Sequence, residues 1–402
     1  MLDGVATRPF WLLVHRIAGL ATAGFLFVAG LTGAVIAFHF ELDAWLNADI
    51  FHVAGEAPPL PLETLVGRVE ASEPRATVRY VPLNAKPGES WRLSLRPRTD
   101  PQTGQLFNLG YDQIFVDPAT GAILERRQRF SDRLDRRHIV GFLYELHYRL
   151  HLPGRWGAWL MGGVALIWLF DCFVGAALTL PKARPLLRHW SVSWRIKRPA
   201  SQRRRYLDLH RVGGLWLWPV LVVLAFTSIY FNLNREVFRP VVSLFSTLTP
   251  TPFDQRAALP PGKQPARRLG FAEIAIRAAA ETERFGWADR PGGISYNAAY
   301  SIYAVHFFPG QSDYGAGSNP PYLYFDAQDG RLLAAEIPGQ GTAGDVFLRL
   351  QFPLHSGWIA GLAGRVTVAI AGLITAMLSV TGVILWYRRG RKARATPTAG
   401  PL

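Results

Sequence analysis

The 402-residue sequence is 49% hydrophobic, carries a formal net charge of +15 and holds one cysteine. A lone cysteine excludes an intrachain disulfide, thiol-paired attachment of c-type haem and a cysteine-ligated iron–sulfur cluster. The positive charge sits in short segments beside apolar runs, so it reports topology and argues against a nucleic-acid partner.

The first segment, 1–40, contains an apolar run over 17–40, enough for a bilayer crossing that takes about 20 apolar residues. His15 and Arg16 head it. The run is too long for a signal h-region and no small-x-small site follows it, so it is expected to be retained. Segment 41–138 reads as an external domain: alternation at 91–95 and the run from Phe115 through Asp117 to Gly121 predict strands joined by an Asp-initiated turn. The second membrane helix, 139–181, has His147 and His151 ahead of its apolar run at 156–180, with Asp171 and Cys172 inside it.

Segment 182–208 is a basic loop that includes Lys182, Arg184, Arg188, Lys197 and Arg203. The third helix, 209–234, opens with His210 and Arg211. A second external domain, 235–350, repeats the turn signal at Asp326 and Gly330. It adds an amphipathic helix at 270–285, alternation at 300–305, and Pro/Gly-rich loops at 250–265 and 309–321. The fourth helix, 351–388, follows His355, contains Arg365 and leads to a basic tail, 389–402. Short basic loops stay in the cytoplasm, so both termini are expected inside and both domains outside.

These pieces repeat. Thr32 lies 17 residues after His15 and Thr227 lies 17 after His210; Glu41 and Glu236 keep the same register. Gly154, Gly157 and Gly175 correspond at constant offset to Gly361, Gly364 and Gly382, and His147 falls within one residue of matching His355. The expected fold is therefore membrane α-helical: four transmembrane helices as two tandem helix–domain–helix repeats, with two small external α+β domains.

The duplication pairs His15 with His210 at the inner ends of the helices and His147 with His355 at the outer ends. Imidazole ligates haem iron and several divalent metals. Two histidines across a central axis can face one planar cofactor from both sides, and the spans offer neither a carboxylate cluster nor a cysteine pair for another metal. A histidine at a helix end also serves as an interfacial residue, and the repetition favours ligation. His151 stands four residues after His147 and is an alternative ligand on the same helix face. His39 has Asn234 at its duplicate position and no symmetric partner. Arg16 and Arg211 are candidates for cofactor carboxylates or for inner-face anchoring, and Arg365 is an outer candidate. Asp171, costly within a span, is a candidate proton relay or quinol partner, or a polar packing residue.

With these residues in place, the chain resembles the PepSY-associated transmembrane family, iron-regulated inner-membrane proteins that include ferric-siderophore reductases. The resemblance rests on His15-Arg16 and His210-Arg211, on Leu146-His147-Tyr148, on Pro353-Leu354-His355-Ser356-Gly357, and on the Asp117/Gly121 and Asp326/Gly330 turns. It implies a multi-pass protein of the bacterial inner membrane with periplasmic PepSY-like domains. It also implies two b-type haems held by His15, His210, His147 and His355. Electrons from a cytoplasmic or quinol donor would reduce a ferric siderophore or another periplasmic acceptor. With no Gly-rich dinucleotide fingerprint, a flavin or nicotinamide donor would be a separate protein. Two other classes fit a PepSY-containing membrane chain: a non-catalytic, peptidase-regulating interaction protein, and a transporter or assembly factor.

Overall fold

The structure, a computed structural model, describes residues 8–55, 57–84, 86–287, 290–307 and 320–394, with side chains described to residue 389. The chain divides into two compact units. One is helical (Met1–Phe38, Leu143–Val241, Leu354–Leu402) and the other is built on a sheet (His39–Phe142, Val242–Pro353).

In chain order the first half gives α1 (Arg8–Ile36), α2 (His39–Leu46), α3 (Ala48–Phe51) and α4 (Leu62–Ser72). Strands β1 (Ala76–Pro82), β2 (Trp91–Pro97), β3 (Gln113–Val116) and β4 (Ile123–Arg127) follow. Next come α5 (Ile139–Arg149), α6 (Trp156–Thr179), α7 (Leu186–Trp190), α8 (Gln202–Trp216), α9 (Trp218–Asn232) and α10 (Arg239–Ser243). The second half continues with α11 (Phe271–Phe285) and strands β5 (Pro291–Asn297), β6 (Ile302–Phe307), β7 (Tyr322–Asp326) and β8 (Leu332–Glu336). It closes with α12 (Ala343–Ser356) and α13 (Gly361–Arg394).

Among the described residues, three helices are long and apolar enough to cross a membrane: α1, α6 and the stretch Trp358–Arg389. The helix expected at 209–234 is instead two, α8 and α9, bent by 70° at Leu217. Pro219, in the first turn of α9, explains the break, because its ring supplies no N–H and clashes with the preceding turn. The second and fourth helices, expected over 139–181 and 351–388, are each preceded by a shorter helix, α5 or α12, which carries the histidine. The elbows between them are tight. A Cβ on Gly157 would lie 2.0 Å from the Arg149 carbonyl oxygen, and one on Gly364 would lie 2.0 Å from that of Gly357. The duplicated glycines are therefore required by the backbone at these turns.

Helices α1 and α13 cross at Gly30 and Gly372, where a Cβ on either would come within 2.5 Å of the other's carbonyl oxygen. Small residues permit close approach in lipid, where dispersion takes over from hydrophobic attraction. Helix α6 packs on α9, with Ala165 and Ala225 buried.

The two segments expected as separate external domains form one antiparallel sheet ordered β4-β3-β2-β1-β5-β6-β7-β8. Each half is a helix followed by a four-strand meander, and β1 joins β5 through Tyr80↔Ser295, Val81↔Ile294 and Pro82↔Gly293. That pairing removes two exposed edges that separate domains would each have to protect. Leu65, Val66 and Val69 of α4 and Phe271, Ile274 and Ala278 of α11 pack on one face with Leu93, Ile114, Val305 and Phe325 of the strands. The predicted turns are present, with Gly121 at φ +77° and Gly330 at φ +74°. The loop expected at 250–265 has no helix or strand. Most of the one at 309–321 lies outside the described residues.

Candidate functional site: two facing histidine pairs

All four duplicated histidines lie in the helical unit, and they face each other in pairs. The ring centres of His15 (α1) and His210 (α8) are 6.1 Å apart with the planes at 67°. Those of His147 (α5) and His355 (α12) are 6.3 Å apart at 60°. Two imidazole nitrogens bound on opposite sides of one metal at about 2.0–2.1 Å, each about 1.1 Å from its ring centre, would put the centres about 6.2–6.4 Å apart. The His147–His355 pair stands within this range and the His15–His210 pair about 0.1 Å short of it.

The tautomers are fixed as well. His147 Nδ1 lies 3.0 Å from the Ala29 carbonyl oxygen and 3.2 Å from Thr32 Oγ1. His355 Nδ1 lies 2.7 Å from Thr227 Oγ1, and His210 Nδ1 lies 3.0 Å from Thr381 Oγ1. Each threonine donates its hydroxyl proton at 2.7 Å to the carbonyl four residues earlier: Val28, Val223 and Met377. The hydroxyl oxygens can therefore only accept, and the histidine Nδ1 must donate. His15 Nδ1 donates to Asp171 Oδ1 at 2.8 Å. In all four rings Nε2 is left with the lone pair, the form a metal requires.

Glycines make room for the rings. A Cβ on Gly175 would be 3.3 Å from His15 Cε1, one on Gly382 3.4 Å from His210 Cε1, and one on Gly33 3.0 Å from His147 Cε1. A cavity of about 820 Å³ surrounds His15 and His210, within the about 300–1,000 Å³ typical of small-molecule sites. Its wall includes Trp168, Arg16 and Arg211. Along α1, His15 and Thr32 are separated by 17 residues, a rise of about 25 Å, so the two pairs lie toward opposite ends of the bundle. Among the described residues no three His, Cys, Asp or Glu side chains gather around a common point. A set of two opposed imidazoles suits a metal whose remaining ligands arrive with it, as in haem.

Other sequence-predicted residues have different surroundings. His151, in the turn after α5 at φ +55°, has Nδ1 3.4 Å from Glu145 Oε2. It is therefore His147, of the two alternatives, that meets His355. His39 opens α2 in the sheet unit, its ring 3.8 Å from that of Phe40, and it joins neither pair. Arg365 is 5% exposed, donates to the Ala37 carbonyl at 2.9 Å and lies over the rings of Phe38 and Trp358. It closes the end of α1. Arg211 pairs with Asp208 at 2.8 Å and donates to the Val192 and Arg195 carbonyls, which ties the basic loop to α8. Its Nε, buried in the cavity wall, has no hydrogen-bond partner among the described residues. Asp171 serves as acceptor for His15, a contact that composition alone did not indicate.

Thr381 as the partner of His210, and Gly33 and Gly382 as the positions that make room for the rings, carry no local sequence signal. The repeated 17-residue spacing from histidine to threonine marks Thr32 and Thr227, the partners of His147 and His355, but not Thr381. The sequence has no match among curated proteins. A family model, the PepSY-associated TM region, matches residues 12–389. That span is nearly the whole chain, and the protein belongs to the PepSY-associated transmembrane family.

Proposed function

We propose that this membrane protein is a two-haem, b-type oxidoreductase of the bacterial inner membrane. It would pass electrons from a cytoplasmic or quinol donor to a periplasmic acceptor, with a ferric siderophore as the substrate and ferrous iron as the released product. The observation that carries this reading is the facing imidazole pair, repeated at two levels, with every Nδ1 committed as a donor. Bound between the rings, haem supplies a one-electron Fe(III)/Fe(II) couple.

His15 and His210 would hold one group, and His147 and His355 the other. Thr32, Thr227, Thr381 and Asp171 fix ring orientation, so the ligands need no rearrangement on binding. Gly33, Gly175 and Gly382 leave the rings space against the neighbouring helices. Arg16, in the wall of the cavity, is placed to meet a carboxylate of the bound group. In this reading the bent α8–α9 pair is a span, which makes four spans in two tandem copies. The basic loop between α6 and α8 then lies in the cytoplasm with both termini.

The test is anaerobic mixing of the reduced, purified protein with a panel of ferric siderophores while ferrous iron is trapped. Oxidation of the haem bands with one ferrous ion released per electron is expected. A reduced spectrum that persists with every chelate contradicts the acceptor assignment. A purified protein without b-type absorption contradicts the oxidoreductase reading altogether and leaves the interaction protein in its place.

A further inference from the structure

We infer that Asp171 sets the His15–His210 site at a lower reduction potential than the His147–His355 site, giving electron flow through the chain a direction. This rests on the two-haem reading above. The observation is an asymmetry among otherwise matched sites. His147, His210 and His355 each donate Nδ1–H to a neutral oxygen, a hydroxyl or a backbone carbonyl. His15 alone of the four donates to a carboxylate, at 2.8 Å.

The asymmetry is written into the repeat. Leu378 occupies the duplicate position of Asp171, and Val174 that of Thr381. The acceptor for His210 therefore comes from a different helical position than the acceptor for His15. A carboxylate in this setting is 9% exposed and carries the desolvation cost of a charge within a span. If its task were only to hold the ring, a threonine would suffice, as it does for His210.

A carboxylate adds two effects that a hydroxyl does not. Its charge-assisted hydrogen bond is roughly twice as strong as a neutral one and increases the basicity of the ligating Nε2. Its negative charge, about one ring away from the iron in a poorly screened interior, favours the more positive ferric state. Both effects lower the potential of that site. Cations also line this cavity (Arg8, Arg16, Lys182, Arg203, Arg211 and Arg389), but Arg211 is already paired with Asp208, and the hydrogen-bond partner of Asp171 among the described residues is His15. In this reading one electron would pass from the group held by His15 and His210 to the group held by His147 and His355, with no atom transferred.

The experiment is a potentiometric titration of the purified native protein, Asp171→Asn and Asp171→Glu, followed by absorbance and low-temperature EPR. Asp171→Asn keeps an acceptor oxygen and removes the charge. We expect both haems to be retained. The Fe(III)/Fe(II) equilibrium of one should move about 10–100-fold toward ferrous, at about 59 mV per tenfold, while the other stays unmoved. Asp171→Glu should restore the lower value. In the native protein two components should be resolved, and His15→Ala should abolish the lower one.

A shift below about threefold with both haems present would overturn the inference and leave Asp171 as a ring-positioning residue. So would a native titration in which the component lost in His15→Ala is the higher one, a result that stands even if Asp171→Asn fails to load haem. Absence of haem from the native protein is a separate outcome, and it overturns the functional reading on which the inference depends.

Discussion

The duplicated threonines give a sharp prediction, because the structure supports their two histidines unequally. Among the described residues, Thr227 Oγ1 at 2.7 Å is the acceptor for His355 Nδ1. His147 Nδ1 has the Ala29 carbonyl at 3.0 Å as well as Thr32 Oγ1 at 3.2 Å. Thr227→Val keeps the volume but leaves a buried N–H without a partner, at a cost of about 1–3 kcal/mol. It also releases the constraint that keeps the lone pair on Nε2. Loss of such an outer contact weakens metal binding by roughly 10–100-fold. Thr32→Val leaves the carbonyl in place and should cost less than about 1 kcal/mol, or under about fivefold. The assay is the haem-to-protein ratio and the rate of haem transfer to an apoprotein acceptor for each variant in detergent. Equal effects from the two valines, or a larger effect at Thr32, would refute the reasoning from hydrogen-bond partners.

Other predictions follow from packing and charge. Gly30→Val forces a side chain where a Cβ already meets the Gly372 carbonyl at 2.5 Å, and overpacking of this kind costs about 1–3 kcal/mol. Its thermal midpoint in detergent should fall, while Gly24→Val, at a position with nothing within 4 Å, should leave it unchanged. In the sheet unit Arg127 holds buried Asp43 with two hydrogen bonds of 2.8 Å. Arg127→Met should destabilise that unit by about 3–5 kcal/mol, and adding Asp43→Asn should recover most of the loss, as measured by amide exchange. His306 in β6 is held by burial near a pKa of about 4, below its ordinary 6.5. The unfolded chain binds the proton first, so the stability from neutral His306 is complete above pH 6.5 and is lost as pH falls toward 4. His306→Gln should flatten the fall of the unfolding free energy across that window, by on the order of 1–3 kcal/mol.

The histidine pairs were legible in the sequence because duplication fixes equivalent depths without reference to folding. His15 and His210, and His147 and His355, could be matched by register alone. Their partners were harder to find. Asp171 lies on a different helix from His15, and that helix–helix register is a tertiary fact. The break at Leu217 was hidden because Leu215 through Val220 are apolar on both sides of Pro219. Composition kept the run looking continuous where the backbone could not be.

In the sheet unit, hairpins with Asp-to-Gly turns were visible because the signal is local. Strand β5 was not, since Pro291-Gly292-Gly293 has poor strand propensity. The structure shows why those residues suit a central strand. Pro291 stands at its first position, where a missing N–H is tolerated, and a Cβ on Gly293 would lie 2.5 Å from the Tyr80 hydroxyl. The union of the two halves through β1 and β5 depends on a pairing between distant segments, which local pattern does not encode.

The central claim is that four histidines hold two haems in independent sites. It is tested most directly by measuring the haem content and reduced-minus-oxidised spectrum of the purified native protein beside His15→Ala and His355→Ala. The account predicts two b-type haems per native chain and one in each variant, with low-spin EPR signals that differ between the variants. A native protein without haem, or full haem content in both variants, would contradict it.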